Sequence, residues 1–308
     1  MRRLVISVPL LFVVSTLSFV LVALEPGDPA REILGLSAPQ TAVIQLRRSL
    51  GLDQPLWARY WHWLTHAVHG DFGVSAATYE PVGRAISERL PVSLSLIAGA
   101  LLLTTLIGLS LGILGAVRGG PTGRFVDGLA LIGLALPSFW VAAALIEICA
   151  VEVRWFPASG YVPFGQSPWE WFRSLVLPVT SLALFTSAMI AKQTRAGMLD
   201  ALSSEYVRSA RANGIGERAI IFRHGLRNAS LPVLTQLGLL TVGLLTGTVF
   251  VETVFAIPGI GQLAVNGVTQ HDLAVVQGTV VLFTVIIIAV NLAIDILYTI
   301  LDPRVRAG

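Results

Sequence analysis

Residues 195–230 read RAGMLDALSSEYVRSARANGIGERAIIFRHGLRNAS and separate two long hydrophobic stretches. The cations of this connector, counted with the lysine that precedes it, are Lys192, Arg195, Arg208, Arg211, Arg218, Arg223 and Arg227. Only Asp200, Glu205 and Glu217 oppose them. A basic connector between membrane-spanning helices is typical of the cytoplasmic side. The segment therefore predicts a membrane protein with a cytoplasmic, partly helical connector on which another protein can dock.

The composition of the whole chain agrees with a membrane protein. Of its 308 residues, 54% are apolar and only 13% are charged, whereas soluble domains carry about a quarter of charged residues. Six apolar runs are long enough to cross about 30 Å of hydrocarbon. They are Leu4–Leu24, Val92–Val117, Gly128–Ile146, Ser174–Ala191, Ala229–Val251 and Leu273–Ile294. We predict an all-α membrane protein with six transmembrane helices.

Three of these runs have particular features. The third and fourth carry Pro137 and Pro178, which membrane helices tolerate where neighbouring groups satisfy the freed carbonyls. The first follows Arg2 and Arg3, as a signal peptide would. It is longer than a signal-peptide core and no A-x-A site follows, so we expect an uncleaved first helix.

The distribution of arginine predicts the orientation. With the N-terminus inside, 13 of the 21 cations fall on inner segments, and six of the other eight lie in the stretch 25–90. Cytoplasmic segments carry the excess of positive charge, so both termini are expected in the cytoplasm. The small net charge of +3 gives no reason to expect a nucleic-acid partner.

The spans divide the chain into four parts. We expect a first transmembrane helix at 1–24, an extracytoplasmic helical segment at 25–90, a five-helix core at 91–301 that includes the connector, and a cytoplasmic tail at 302–308.

Aromatic residues in the outer parts of the chain predict contact with lipid headgroups. In Gln54–Val68, helical spacing brings together Trp57, Tyr60, Trp61, Leu64 and Val68. The outer loop 152–173 adds Trp155, Trp169 and Trp171. Loop 252–272 is expected to be a turn-rich outer connection.

The chain lacks the residues of an ATPase. A phosphate-binding loop needs G-x-x-x-x-G-K-[ST], and the only lysine, Lys192, stands between Ala191 and Gln193. We therefore expect no enzyme activity in this chain. Cys149 is the only cysteine, which excludes an intrachain disulfide or a cysteine-based zinc site.

Other polar or small residues leave alternatives open. His62, His66 and His69 fit either a metal site or a solvated helix face. Asp295, at the inner end of the sixth span, fits either a structural pair with an arginine or a proton relay. Gly108-x-x-x-Gly112 and Gly243-x-x-x-Gly247 fit close helix packing or a pathway lining.

Within the connector, the residues after Asp200 predict a short helix. Ser203 or Ser204 can cap it, and Glu205 suits its positive N-terminal end. Gly214 ends it in the manner of a glycine at C′. Ala210 and Ala212 are small enough for another protein to approach closely. A second amphipathic stretch, Glu217–Asn228, leads into the fifth span; the alternative is a generic basic loop held at the lipid headgroups.

A series of short motifs runs through the chain in a characteristic order. They are Pro26-Gly27-Asp28-Pro29, Leu50-Gly51-Leu52-Asp53-Gln54-Pro55-Leu56, Gly70-Asp71-Phe72-Gly73, Glu88-Arg89-Leu90-Pro91, Pro137-Ser138-Phe139-Trp140, Phe156-Pro157-Ala158-Ser159-Gly160-Tyr161, Leu177-Pro178, Glu205-Tyr206-Val207-Arg208, Ala210-Arg211-Ala212-Asn213-Gly214, Arg223-His224, Arg227-Asn228, Val251-Glu252-Thr253-Val254-Phe255, Pro258-Gly259-Ile260-Gly261 and Leu301-Asp302-Pro303-Arg304. With these motifs, the chain resembles the permease subunit of the bacterial dipeptide, oligopeptide and nickel ABC importers almost from end to end.

The resemblance implies a six-helix type I importer fold in the bacterial inner membrane. It implies a coupling helix that docks on an ATP-binding subunit, with contacts at Ser204, Glu205, Tyr206, Val207, Arg208, Ala210, Arg211, Ala212, Asn213 and Gly214. It also implies pathway or gate positions at Glu252, Phe255, Pro258 and Gly259. Where related permeases have Glu-Ala-Ala before the glycine, this chain has Arg208-Ser209-Ala210, a departure that concerns individual contacts.

The partners implied are a second homologous permease, two ATP-binding subunits or domains, an extracytoplasmic solute-binding protein and membrane lipid. This chain would bind no cofactor, since ATP and Mg²⁺ belong to the ATP-binding subunits. Short peptides are the expected cargo; glutathione and nickel chelates are carried by the same family.

Two other classes of function fit the sequence less well. An ATP-independent carrier or channel would place ionisable groups or broken helices near the membrane midplane, and no carboxylate lies at the middle of a predicted span. A membrane enzyme would need paired catalytic residues such as H-E-x-x-H, which the sequence lacks.

Overall fold

Helices form nearly all of the regular structure in the computed structural model, which describes residues 2–24, 29–35, 38–49 and 51–301. In chain order they are α1 (Arg2–Ala23), α2 (Pro29–Leu34), α3 (Gln40–Ser49), α4 (Leu56–Ala67), α5 (Val82–Arg118), α6 (Gly120–Ala135), α7 (Ser138–Leu145), α8 (Pro168–Ser203), α9 (Glu205–Ala212), α10 (Glu217–Ala219), α11 (Leu226–Val254), α12 (Ile260–Thr269) and α13 (Leu273–Leu301). A π-helical turn follows α7 at Ile146–Glu152, and another joins α10 to α11 at Ile220–Gly225.

Some predicted features lie outside these residues. The turn before Pro29, Leu50 and the tail 302–308 are among them, and so is the side chain of Asp295.

The chain forms two units, each with apolar clusters of its own. The first comprises Met1–Val92 and Pro258–Ala289. Its core is formed by Val82, Ala85, Ile86, Ile260, Leu263 and Val275. The second comprises Ser93–Ile257 and Val290–Gly308. It contains two apolar clusters. One consists of Ala116, Met198 and Ala229, and the other of Ile190, Val233 and Leu240.

Four helical stretches among the described residues are long and apolar enough to cross a membrane. They are Val82–Arg118, Pro168–Ser203, Glu217–Val254 and Leu273–Ile294. In α1, the shorter segment Pro9–Ala23 is apolar. The helical spans at the second, fourth and fifth predicted positions therefore exist and are longer than the apolar runs indicated.

The third predicted span, Gly128–Ile146, is wrong as a single helix. α6 and the segment Ser138–Glu152 meet at an angle of 97° and can count together as a fifth, broken span. Leu136 and Pro137 have extended backbone, with ψ of 118° and 141°. A proline disfavours the α conformation of the residue before it and lacks an N–H, so the helix ends there. Pro178, in contrast, lies within the continuous helix α8.

The connection after α11, predicted as a turn-rich outer loop, is also more ordered than expected. Loop 252–272 contains α12, on which Ile260, Leu263 and Gly267 are buried. The motif Pro258-Gly259 marks the start of this helix, since Gly259 occupies its N-cap position.

The aromatic face predicted for Gln54–Val68 divides into two. Tyr60 is buried, its ring centroid lies 5.4 Å from that of Phe19, and its hydroxyl lies 2.8 Å from Ser15 Oγ. Trp57 and Trp61 are exposed. One side of α4 therefore packs on α1, and only the other side is available to lipid or to a partner.

Both glycines of the first motif pack closely, but only Gly247 of the second does, where an added Cβ would lie 3.2 Å from Leu182 Cδ2. A Cβ added at Gly108 would lie 2.6 Å from Ile190 Cγ2, and one at Gly112 would lie 2.5 Å from Thr194 Cβ. The first motif thus confirms close packing, here between α5 and α8. A Cβ at Gly243 would meet no described heavy atom within 4 Å, so at that position packing within the chain does not explain the glycine.

Candidate functional site

The short helix α9 follows α8 after a single residue, Ser204, whose backbone is extended. Ser204 occupies the N-cap position, as predicted, but its side chain does not cap α9. Its hydroxyl donates instead to the carbonyl of Ala201, and Ser203 donates to the carbonyl of Asp200. Both serines therefore satisfy carbonyls at the end of α8, and the prediction of a side-chain cap is wrong.

The C-terminal end of α9 has the predicted geometry. Gly214 has a φ of +76°, in the left-handed region that favours glycine. The amide of Gly214 donates to Arg211 at 3.0 Å, and that of Ile215 donates to Ala210 at 3.1 Å. These are the two hydrogen bonds of a Schellman motif. They fix the point at which the chain leaves the helix.

One face of α9 is turned towards its own chain. Val207 is fully buried and Ala210 is 8% exposed, and the helix contacts the end of α8 and the π-helical turn before α11. The expectation that Ala210 lies open to another protein is therefore corrected: its methyl group belongs to the internal face. Ala212 is exposed and keeps the predicted accessibility.

The remaining predicted contact residues lie on the outer surface of the connector. Ser204 is half-buried, and the exposed ones are Glu205, Tyr206, Arg208, Arg211, Asn213 and Gly214. Arg218, Arg223 and Arg227, which follow in the connector, are exposed as well. The structure thus places a cationic outer surface over an apolar inner one.

Two contacts hold α9 to the segment that follows it. Arg211 Nη2 lies 2.7 Å from Glu217 Oε1, and both side chains are largely exposed. The hydrogen bond from Arg211 lowers the pKa of Glu217, and the same bond raises the pKa of Arg211. At the other end of the helix, Asn228 Nδ2 donates to the hydroxyl of Tyr206.

Through these contacts the connector forms one compact element between α8 and α11. The helix beginning at Glu217 continues without a break through the π-helical turn into the fifth span. The predicted amphipathic stretch Glu217–Asn228 is therefore the entry to α11, and α9 is attached to it by the two contacts above.

The four predicted gate residues are placed differently from one another. Glu252 is fully buried, and its Oε1 accepts a hydrogen bond of 2.6 Å from Ser93. Phe255 is buried at the end of α11. Pro258 is exposed and Gly259 is buried, both at the start of the other unit's second segment. A gating role for these residues stays a prediction.

His62 and His66 of α4, and His69 just beyond its end, are exposed. His62 and His66 stack with 4.4 Å between ring centroids, while Nδ1 of His66 and of His69 lie 2.8 Å from the backbone carbonyls of His62 and Thr65. Within the described residues, no three His, Cys, Asp or Glu side chains are grouped closely enough to hold a metal ion.

The first unit also contains a buried polar cluster that the sequence patterns did not predict. Gln277 is fully buried; its Nε2 donates to the carbonyl of Ser15 and its Oε1 accepts from Ser18, both at 2.7 Å. Ser15 Oγ in turn meets the hydroxyl of Tyr60. A lone glutamine inside an apolar run is the signal that could have revealed this connection between α1, α4 and α13.

The chain matches known families over its whole length. Residues 89–307 match the family described as "Binding-protein-dependent transport system inner membrane component". Residues 1–97 match the corresponding N-terminal family, "Binding-prot-dependent transport system membrane comp, N-term".

Individual relatives give the same result. The chain is 41% identical over 307 residues to a putative peptide transport system permease protein of Brucella abortus, with 99% of this chain and 98% of that protein covered. It is 38% identical over 306 residues to a glutathione transport system permease protein of Escherichia coli, with 99% and 97% covered.

A structure of the MetNI methionine ABC transporter in an inward-facing conformation matches with a TM-score of 0.58 at 17% identity, over 70% of this chain and 96% of that chain. This likeness supports the type I importer fold. From the family matches and the relatives together, the chain belongs to the binding-protein-dependent transport system inner membrane components, the membrane-spanning permease subunits of ATP-driven importers.

Proposed function

We propose that this permease forms half of a translocation pathway for short peptides, which a solute-binding protein delivers and ATP hydrolysis by separate subunits moves inward. Relatives of nearly the same length carry the names of peptide and glutathione transport permeases. The lack of a phosphate-binding loop in the sequence is the reason for assigning ATP hydrolysis to partners.

The main support for a role of α9 in coupling ATP hydrolysis to transport is that one face of this helix is buried and the other is exposed. Val207 and Ala210 anchor the helix from within, while Arg208, Arg211 and Ala212 lie on its surface. A helix with a fixed inner face and an exposed outer face can transmit a push without unfolding. We assign its outer face to a groove of an ATP-binding subunit.

The orientation follows from that role. The coupling element must face the cytoplasm, where the ATP-binding subunits reside, and the arginine distribution favours the same side. Both termini would then be cytoplasmic and loop 152–173 extracytoplasmic. Trp155 and Trp169 are exposed on that outer side, where interfacial tryptophans contact lipid headgroups.

A second, homologous permease would complete the pathway. α11 leaves an exposed stripe that contains Leu239, Gly243 and Phe250, and a small residue in its middle suits close approach by another helix. The two permeases and the two ATP-binding domains would move as rigid bodies between outward- and inward-facing states as ATP binds and is hydrolysed. Within this scheme Glu252, Phe255, Pro258 and Gly259 are the proposed pathway residues.

Uptake by cells that carry the complete transporter tests this proposal. We expect Ala212→Trp to abolish energy-dependent uptake of a radiolabelled dipeptide while its level in the membrane stays unchanged. The matched control is Ala158→Trp, because Ala158 is equally exposed but lies in loop 152–173. Normal uptake by Ala212→Trp would refute the coupling role, whereas loss of uptake in both variants would refute its assignment to α9.

Competition by unlabelled compounds then tests the cargo. We expect dipeptides to block uptake, and glutathione or nickel ions to block it only if they share the pathway. If no peptide is taken up by the transporter containing the unaltered chain, while glutathione is, the peptide assignment is overturned and the importer assignment remains.

A further inference from the structure

A cavity of about 340 Å³ lies in the second unit between α6 and α8. The residues that line it are Asp127, Ala130, Leu131, Lys192, Arg195 and Ala196. Three are apolar or small, and three are charged. The cavity uses none of the residues of α9 or of the proposed gate, so it is separate from the site described above.

The charged wall of the cavity has a positive excess. Arg195 Nη1 lies 3.2 Å from a carboxylate oxygen of Asp127, which balances one of the two cations. The positive charge of Lys192, the only lysine of the chain, remains uncompensated within the cavity lining. A ligand that fills the cavity therefore meets a net charge of +1.

Arg195 is held in place with one donor unused. Its Nε is buried and has no hydrogen-bond partner among the described residues. Its guanidinium also lies against the backbone of Gly123, where an added Cβ would be 2.7 Å from Nη2. A glycine at this position thus leaves room for the guanidinium, which these contacts hold at the wall of the cavity.

We propose that this cavity binds a phosphate group, with Lys192 and Arg195 as its ligands and an anionic phospholipid as its natural source. Lysine supplies a point charge and arginine a fixed donor geometry, the combination that suits phosphate oxygens.

The apolar part of the wall favours a lipid over a free ion. Leu131 is 65% exposed, and its neighbour Ile132 is 59% exposed, so acyl chains have a surface to follow away from the charged end. The cavity lies on the part of α8 that leads to α9, which the proposed orientation places towards the cytoplasmic leaflet. Anionic lipids concentrate there, and basic pockets between membrane helices bind their headgroups.

The experiment measures lipid retained by the full-length chain, purified with its bound partners. The protein is exposed to mixed micelles containing equal amounts of phosphatidylglycerol and phosphatidylcholine with the same acyl chains, and bound lipid is quantified by mass spectrometry. We expect phosphatidylglycerol to be enriched on the unaltered chain. Lys192→Gln should reduce its retention about fivefold, the effect of one basic residue near an anionic lipid.

Two further variants separate a specific site from general charge or misfolding. Arg124→Gln removes an exposed cation of α6 that does not line the cavity. This variant should retain as much phosphatidylglycerol as the unaltered chain. Lys192→Arg keeps the charge and should retain the lipid. Equal losses in Lys192→Gln and Arg124→Gln would overturn the proposal.

A second arm distinguishes the lipid from a free anion. Equilibrium binding of labelled inorganic phosphate is measured in phosphatidylcholine discs. One outcome is that phosphate binds and this binding disappears in Lys192→Gln, while phosphatidylglycerol is not enriched. The phosphate site would then be real, but its ligand would be a small anion and the lipid assignment would be overturned. If neither ligand depends on Lys192, the site does not exist.

Discussion

Ser93 Oγ donates a hydrogen bond of 2.6 Å to Glu252 Oε1, and this contact joins α5 to α11 inside the second unit. The carboxylate is fully buried. A buried acceptor that loses a partner incurs a desolvation penalty, and the two helices lose a specific connection.

Removal of this hydrogen bond should therefore destabilise the permease. We expect Ser93→Ala to lower the free energy of unfolding by about 1–3 kcal/mol, measured as a lower midpoint of thermal unfolding in detergent. Ser110→Ala is the control, since Ser110 is exposed on the same helix α5. Equal midpoints for the two variants would show that the contact contributes nothing.

The contact of α5 with α8 gives a second prediction. Gly112→Ala places a Cβ 2.5 Å from Thr194 Cβ and 2.7 Å from the carbonyl oxygen of Ala191. Because part of this obstacle is backbone, the helices must separate, at a cost of about 1–3 kcal/mol. Gly243→Ala is the matched variant, with no described atom within 4 Å of the new methyl group.

Thermal unfolding of the two glycine variants separates packing within the chain from packing against a partner. Gly112→Ala should unfold at a lower temperature and Gly243→Ala should not. Loss of transport in Gly243→Ala at unchanged stability would indicate that its face meets another protein. A stable Gly112→Ala would contradict the close approach of α5 and α8.

The two alanines of α9 should respond in opposite ways to the same enlargement. Ala210→Trp forces a large ring into the internal face and should lower the free energy of unfolding by about 1–3 kcal/mol. Ala212→Trp should leave it unchanged, because Ala212 is exposed. Thermal unfolding of the isolated permease measures both, and equal destabilisation would contradict the assigned faces of the helix.

The ion pair Arg211–Glu217 predicts how the connector responds to pH. The pKa of Glu217 is lowered below its ordinary value and that of Arg211 is raised above its ordinary value, in each case chiefly by their hydrogen bond. A lowered carboxyl pKa stabilises the folded form above the unfolded value, and that contribution is lost only as pH falls through the folded value. The contact should therefore persist throughout the neutral range.

Hydrogen exchange of the amides of residues 205–217 measures this contact. Glu217→Gln should exchange faster than the unaltered chain at neutral pH. This difference should diminish at high salt, and also as the pH falls through the lowered pKa of Glu217. Asp200→Asn serves as the control, because Asp200 is exposed at the end of α8. A difference that grows on acidification would contradict the pairing.

The apolar runs were sufficient to predict the position of most helices, because the membrane imposes a minimum length that the sequence displays directly. They could not distinguish Pro137, which ends a helix, from Pro178, which lies within one. Both prolines stand in similar apolar surroundings, and the difference depends on which neighbours satisfy the backbone.

The candidate site was predictable in part for a similar reason. The end of α9 at Gly214 follows from local backbone chemistry, and the structure confirms this prediction. The inward direction of Ala210 depends on the packing of α9 against α8, which spacing alone does not specify. The hydrogen bond between Gln277 and Ser15 joins residues that are far apart in the chain, and no local sequence pattern predicts which partner Gln277 has.

The most direct test of the account is a cross-link from the exposed side of α9. In a Cys149→Ser chain, Ala212→Cys is treated with a thiol-to-amine cross-linker in native membranes. Self-reaction is limited because Lys192 is the only lysine, and Ala158→Cys provides the control on loop 152–173. We expect Ala212→Cys, and not Ala158→Cys, to become joined to an ATP-binding subunit. If an ATP-binding subunit co-purifies with the chain but is cross-linked only from Ala158→Cys, or from neither position, α9 is not the coupling helix.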